Sequence, residues 1–334
     1  MKVIVNFFKK IISKFANMDF VGNSKKFIVA SISFILAGLI VLLVFGFNLG
    51  IDFTGGTVLR IQVGEDLNNQ TIYDEYVEKV ELVLDNNNLE IGLVQTEGEG
   101  IDLSLLFRYQ DVDGINNEDM IALNEIIRQE IASELNIDEN KITNSQRIGP
   151  SASAALMINA LLAVLIATAL ILAYVAIRFE LLSGVAAIIA LIHDVLIMSA
   201  FVLIFQLQIN SAFIAALITI IGYSINDTIV VLDRVRENKS KESYAKKSTK
   251  DLANISIKET LVRTLNTSFT TIFTIAMIVI ISVPSIREFA IPILFGVLAG
   301  TYSSIFIAAP SWVWLYDKLG KEKVIIKNKN ELEV

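Results

Sequence analysis

The chain has 334 residues, 54% of them hydrophobic, with a single histidine, no cysteine and a formal charge of −7. A soluble domain has roughly 45–50% apolar residues even with glycine counted, so this composition, with a mean hydropathy of +0.59, points to a membrane protein. The lack of cysteine excludes a disulfide framework and thiolate metal sites.

The first 26 residues form a basic tail: Lys2, Lys9, Lys10, Lys14, Lys25 and Lys26 face only Asp19. An apolar run at 27–47 predicts the first membrane span, since about 20 apolar residues cross a bilayer. It is longer than the roughly 7–15 residues of a signal-peptide core and reads as an uncleaved anchor.

Residues 48–150 are polar and acidic, with 21 Asp and Glu against 6 Lys and Arg. TVLRIQV (57–63) alternates like a strand. A helix follows over 71–87, with Thr71 expected to cap it and Asn86–Asn88 to end it. Runs at 91–97 and 101–109 read as a strand pair around Gly98 and Gly100. Residues 116–136 are helical, with acids in the first turn, where the helix dipole favours them. A last strand is expected over 141–148. The order β-α-β-β-α-β predicts a ferredoxin-like α+β unit, whose acidic face reads as a solvated surface.

Residues 151–316 hold five more spans, near 154–177, 182–205, 211–232, 264–283 and 289–312. The loop 233–263 is basic, and its 239–258 part is either an amphipathic helix on the membrane surface or a solvated connector. The tail 317–334 carries Lys318, Lys321, Lys323, Lys327 and Lys329 and reads as disordered. Lys and Arg mark cytoplasmic loops. Six spans put both tails and the 233–263 loop on one side, so count and charge agree on cytoplasmic termini. The expected fold is a six-helix transmembrane bundle with a ferredoxin-like extracytoplasmic domain inserted between helices 1 and 2.

Polar residues inside the spans are the functional candidates. A charge at membrane depth costs at least about 2.5–3.5 kcal/mol on insertion scales. The fourth span carries Asp227, with Asn226 beside it. Arg263 opens the fifth span and reaches a similar depth if the two helices are neighbours. Thr267, Thr270, Thr271 and Thr274 follow at helical spacing, either as helix glue or as the lining of a thin water path. Burial and a neighbouring cation act in opposite senses on a carboxyl group, so Asp227 suits a proton- or ion-coupling role that responds to helix movement. His193 and Asp194, mid-span in the third helix, are either a buried hydrogen bond joining helices 3 and 4 or part of a proton path. Gly296 and Gly300, followed by Ser304, suit close helix packing. No phosphate loop, nucleophile elbow or metal cluster is present, so no catalytic site, metal or cofactor is expected.

The motifs GIDFTGGT (50–57), RFE (178–180), LIHDVLI (191–197), IGYSINDTIVVLDRVREN (221–238), RTLNTSFTT (263–271) and FGVLAGTYSSIFIA (295–308) fall in one order. In these the chain resembles the SecF subunits of the bacterial SecD–SecF protein-export family, within the resistance–nodulation–division superfamily. The long central motif is highly specific, and the match covers nearly the whole chain. The segment GPSASAAL (149–156) lacks the second glycine that the family often has there, which bears on the flexibility of that joint. The resemblance implies a bacterial cytoplasmic-membrane subunit paired with SecD and acting with the SecYEG channel. It would promote release of a translocating unfolded preprotein using the proton-motive force. It also implies proton-coupling roles for Asp227 and Arg263, a weaker one for Asp194, and a motif role for Gly50, Asp52, Gly55 and Gly56. Protons are the expected coupling ion, with sodium as the open alternative; no nucleic acid and no enzymatic activity are expected. The rival readings are a small-molecule or lipid exporter of the same superfamily and a passive scaffold with Asp227 and Arg263 as a structural pair.

Overall fold

The structure is a computed structural model and describes residues 18–63, 70–89, 91–97, 103–110, 115–244, 246–281 and 284–320. Lys2, Lys9, Lys10, Lys14, Gly98, Gly100 and the tail lysines from Lys321 onward lie outside the described residues.

Six helices are long and apolar enough to cross a membrane. The first, α1 (Phe20–Phe45), starts seven residues before the expected span. Asp19 is the cause: its Oδ1 accepts the Gly22 N–H at 2.8 Å, the N-cap bond that starts a helix. Lys25 and Lys26 are therefore helical rather than part of a tail. A single turn, α2 (Ile51–Thr54), then leads into the sheet unit.

The sheet unit has β1 (Gly56–Gln62), α3 (Gln70–Asn86), β2 (Ile91–Glu97), β3 (Ser104–Tyr109), α4 (Asn117–Leu135) and β4 (Ile142–Ile148). The strands form one sheet in the order β2-β3-β1-β4, every neighbour antiparallel. Period-two alternation sends Leu59, Ile61, Leu105 and Phe107 to one face, where they bury against Val80, Leu84, Ile127 and Ile131 of α3 and α4. On the opposite face Val58, Leu106 and Ile148 cover Ile51 of α2. Thr71 does not cap α3, which already runs through it from Gln70. Asn88, at φ 59°, ends that helix as expected, since asparagine tolerates the left-handed region. Asn116 caps α4 by accepting the Asp119 N–H at 2.9 Å.

The bundle continues with α5 (Pro150–Arg178), α6 (Leu181–Ile204), α7 (Ser211–Lys239), α8 (Thr249–Ile281) and α9 (Pro284–Ser303). A π-turn at Ser304–Ala308 joins α9 to α10 (Ala309–Leu315), and a second π-turn spans Tyr316–Gly320. Both described ends of the chain and the 240–248 connector share one end of the bundle, the terminal side. The sheet unit sits at the other, the domain side. Helices α6, α7 and α9 form the buried centre, whereas α5 shows most of its length to the surroundings.

The expected loop 233–263 is mostly helix. Helix α7 runs seven residues past its expected end, and α8 starts at Thr249. Leu252, Ala253, Ile257 and Leu261 recur at helical spacing and are buried, which holds these turns on the bundle despite their charged neighbours. A hydropathy window averages the Lys and Glu of this stretch with its apolar stripe and so misses it. Lys318, assigned to a disordered tail, lies in the second π-turn with its ammonium 5.1 Å from the Trp314 ring centre.

Candidate functional site

Two buried carboxylates sit inside the bundle. Asp194, on α6, is fully buried. Ser224 of α7 donates a short hydrogen bond to its Oδ2, and Ser303 of α9 donates to the same oxygen at 2.7 Å. His193 Nδ1 lies 2.9 Å from Oδ1, and His193 Nε2 lies 2.9 Å from the Ser31 hydroxyl of α1. Ser31 contacts the Tyr302 hydroxyl at 3.1 Å, and Tyr302 donates to the Phe27 carbonyl at 2.6 Å. The expected tie between helices 3 and 4 is thus a four-helix knot that also takes in helices 1 and 6. It ends on a backbone carbonyl, which accepts a hydrogen bond but passes no proton onward.

Glycine makes that knot sterically feasible. A Cβ on Gly296 would lie 2.4 Å from Ile220 Cγ1, and one on Gly300 would lie 3.1 Å from Ser224 Cβ. The GxxxG pair lets α9 and α7 approach closely enough for Ser224 and Ser303 to share Asp194. Ser304, grouped with those glycines by spacing, instead donates to the Thr301 carbonyl at 3.0 Å. Ser303, the last residue of α9 before the π-turn, is the hydroxyl that faces the carboxylate. Gly38 of α1 plays the same part against Ala200 of α6, where a Cβ would meet Ala200 Cβ at 2.6 Å.

Asp227 lies on α7, one turn from Ser224, with 3% of its surface exposed. It is about 18 Å along the axis from the last residue of α7, because that helix runs on to Lys239. Helices α7 and α8 form an antiparallel pair with an even ladder of side-chain bonds. Tyr223 donates to Thr271 Oγ1 at 2.8 Å, Ser268 to Asp227 Oδ2 at 3.0 Å, and Asn238 to Ser256 Oγ at 3.0 Å. The Ser268 bond is the one hydrogen bond to Asp227 among the described residues. Arg263 is exposed, on the neighbouring helix as expected, and is close enough for electrostatic attraction to Asp227. Among the described residues no ion pair joins the two.

The threonine stripe closes on itself. Thr267 donates to the Arg263 carbonyl, Thr270 and Thr271 to that of Thr267, and Thr274 to that of Thr270, at 2.8 to 3.1 Å. Such i−3 and i−4 bonds within one helix are the usual resting place of a threonine hydroxyl. Asn226 points away from the bundle, on the same open face as Gly222. Ser268, Ser224, Ser303, Ser31 and Tyr302 were missed as site residues. Their signal was present, since each is a hydroxyl inside an apolar helix, but such residues are common in membrane helices.

The glycine motif after α1 is a joint. Gly55 and Gly56 have φ of 78° and 143°, and a Cβ on Gly56 would lie 2.4 Å from the Tyr109 carbonyl oxygen. Asp52 accepts the Ser211 N–H at 2.8 Å, placing a carboxylate at the N-terminus of α7, where the dipole favours it. Gly50 is tucked against Asn210, and its N–H donates to the Ile209 carbonyl at 2.9 Å.

Two family models match the chain. One describes the C-terminal part of the SecD/SecF protein export membrane proteins and covers residues 128–318. The other describes the SecD/SecF GG motif and covers residues 40–66. The protein translocase subunit SecF of Calditerrivibrio nitroreducens is 37% identical over 317 residues, which is 94% of this chain and 99% of that one. The protein translocase subunit SecDF of Bacillus subtilis is 35% identical over 92% of this chain, and the match spans 40% of that longer protein. The crystal structure of SecDF from Thermus thermophilus, described as a translocon-associated membrane protein, superposes with a TM-score of 0.71 at 30% identity. That match covers 90% of this chain and 39% of the other. With six apolar membrane-length helices, the ordered motifs and these matches over most of its length, the chain belongs to the SecD/SecF family of protein-export membrane proteins, on its SecF side.

Proposed function

We propose that this chain works with a SecD partner to convert the proton-motive force into translocation and release of polypeptides on the domain side of a bacterial cytoplasmic membrane. The observation that carries this reading is Asp227: a carboxylate buried in a membrane-length helix, with a single hydroxyl donor and a cation, Arg263, near it but not paired with it. A group so sparsely held changes its protonation with a small change in the α7–α8 contact. One charge falling through 100 mV yields about 2.3 kcal/mol, enough for a few protons to bias a two-state motion. Asp194, held by hydroxyl donors from α7 and α9, serves as the fixed anchor of α6, α7 and α9. Protons are the coupling ion in this reading.

The match to a SecDF protein of more than twice this length supports a second, SecD-type half beside this one. The basic residues of both tails and of the 233–263 stretch support cytoplasmic termini. The strand order and two covering helices support a ferredoxin-like reading of the sheet unit. The SecYEG channel and an unfolded preprotein complete the proposed assembly.

The test is gradient-dependent release of an exported preprotein from membrane vesicles, comparing wild type with Asp227→Asn. Both are assembled with the SecD partner at matched levels. Loss of the gradient response in an assembled variant supports the proposal. A wild-type response removes Asp227 from the mechanism.

A further inference from the structure

Among the described residues, two sets of polar contacts join the sheet unit and its linker to the bundle besides the Asp52–Ser211 bond, and the second carries charge. At the first, Leu49 bridges Ile209, the Ile209 N–H donates to the Asn48 carbonyl at 2.8 Å, and the Asn48 side chain donates to the Gln206 carbonyl at 2.7 Å. These bonds tie the linker after α1 to the α6–α7 turn, not the sheet itself. At the second, Arg108 of β3 stands on the sheet face turned away from α3 and α4, in register with Val58. Its Nη1 lies 3.0 Å from Glu288 Oε1, at the start of α9, and it also donates to the Gln208 side chain of the α6–α7 turn. Arg108 and Glu288 are only 14% and 16% exposed.

Glu288 binds a third element as well. Its Oε2 accepts from the Asn210 side-chain amide at 2.7 Å, while Asn210 Oδ1 accepts the Phe213 N–H at 3.0 Å and caps α7. One carboxylate thus joins the outer sheet, the cap of α7 and the first turn of α9. Helix α7 carries Asp227, and α9 ends at Ser303, which holds Asp194. Between Glu288 and Ser303 lies Pro292, the ninth residue of α9, which removes one backbone donor from that helix.

We propose that Arg108 and Glu288 form a latch that fixes the attitude of the sheet unit on the bundle and ties it to α7 and α9, the helices that carry or hold both buried carboxylates. Releasing the pair leaves a half-buried charge without its partner, so the unit leaves that attitude rather than relaxing in place. A conserved-charge swap restores the pair without restoring either original side chain. The bearing of the latch on export rests on the function proposed above; its bearing on the unit's attitude does not.

The test uses the full chain with its SecD partner in proteoliposomes. The chain has no cysteine, so Glu118→Cys on α4 and Leu298→Cys on α9 give two unambiguous spin-label sites whose separation reports the unit's attitude. Three variants are compared on that background: Arg108→Gln, Glu288→Gln, and the swap Arg108→Glu with Glu288→Arg. In wild type a second attitude should be a minor state, about 0.1–10%. Each single variant should raise it at least roughly tenfold, and the swap should return most of the signal to the original distance. Gradient-dependent release should fall about 5-fold or more in the singles, the lower end of typical coupling factors of about 5–150. A distance distribution unchanged in both singles overturns the latch, as does a shift that the swap leaves unrepaired. If the singles shift the distance while Asp227→Asn keeps its gradient response, the latch stands and the proposed function falls.

Discussion

Asp194 of α6 is bonded by Ser224, which lies one helical turn from Asp227 on α7, yet the two acids are held in opposite ways. Asp194 receives hydroxyl donors from two helices and a contact from His193, and the glycines of α9 are spaced to allow it. Asp227 is nearly as buried but, among the described residues, has one donor, Ser268, and a cation on the next helix that forms no ion pair with it. A carboxylate held by hydroxyl donors from two neighbouring helices is expensive to disturb and so fixes structure. One with open valences responds to its surroundings. The difference teaches that burial alone does not tell two acids in membrane-length helices apart; the count of donors does.

The most severe way to break this contrast is to remove the member with two hydroxyl donors. Asp194→Ala takes the acceptor from the Ser224 hydroxyl and one of two acceptors from Ser303, and opens a void at the meeting of three helices. We expect a loss of about 2–4 kcal/mol, from a cavity term plus a buried donor without its partner, read as a lower melting temperature of the detergent-solubilised complex. Next is Gly296→Ala, whose new methyl would meet Ile220 at 2.4 Å. Overpacking of this kind costs about 1–3 kcal/mol, and the same melt should show it, while Gly222→Ala on the open face should be neutral. Asp227→Asn should sharpen the comparison from the other side: it should change stability by less than about 1 kcal/mol, since one membrane hydrogen bond averages about 0.6 kcal/mol, yet remove the gradient response. A large melting shift in this variant would make Asp227 a structural residue like its neighbour.

The smallest effect expected is at Asp19, outside the membrane helices proper. Its bond to Lys250, at 2.6 Å, and the Gly22 N–H hold its carboxyl down at about 2 from the usual 3.8. With the folded value depressed, its contribution is full above about 4 and is lost as the pH falls toward 2. Asp19→Asn should therefore weaken the α1–α8 contact equally at pH 5 and pH 8, and the difference from wild type should shrink only below about pH 4. A titration of melting temperature for both proteins between pH 3 and 8 checks this.

Much of this contrast was visible before any coordinates. Asp227, Asp194 and Arg263 stand out because a charge in an apolar run is costly wherever it points, and cost is a property of sequence. Their partners do not stand out. Ser224, Ser268 and Ser303 look like any hydroxyl in a membrane helix, and only helix rotation decides which of them meets a carboxylate. The threonine stripe on α8 left helix glue and a water path both open by its spacing; each hydroxyl donates to its own backbone, and Thr271 also accepts from Tyr223 of α7. Spacing fixes the face of a helix and leaves the rotamer open.

The sequence by itself determined the six apolar helices and the chain order of strands and helices between the first two, because hydropathy, period-two alternation and helix stop signals are local. It also determined which acids lie inside the apolar helices. Only the tertiary structure decided that residues 249–263 belong to a helix, since burial of Leu252 and Ile257 outweighs their charged neighbours. Only it decided that Arg108, 180 residues before Glu288, docks the sheet on the bundle. Contacts of that range depend on how two helices and a strand are rotated about their own axes. That rotation is set by packing over the whole bundle, and no window of sequence contains it.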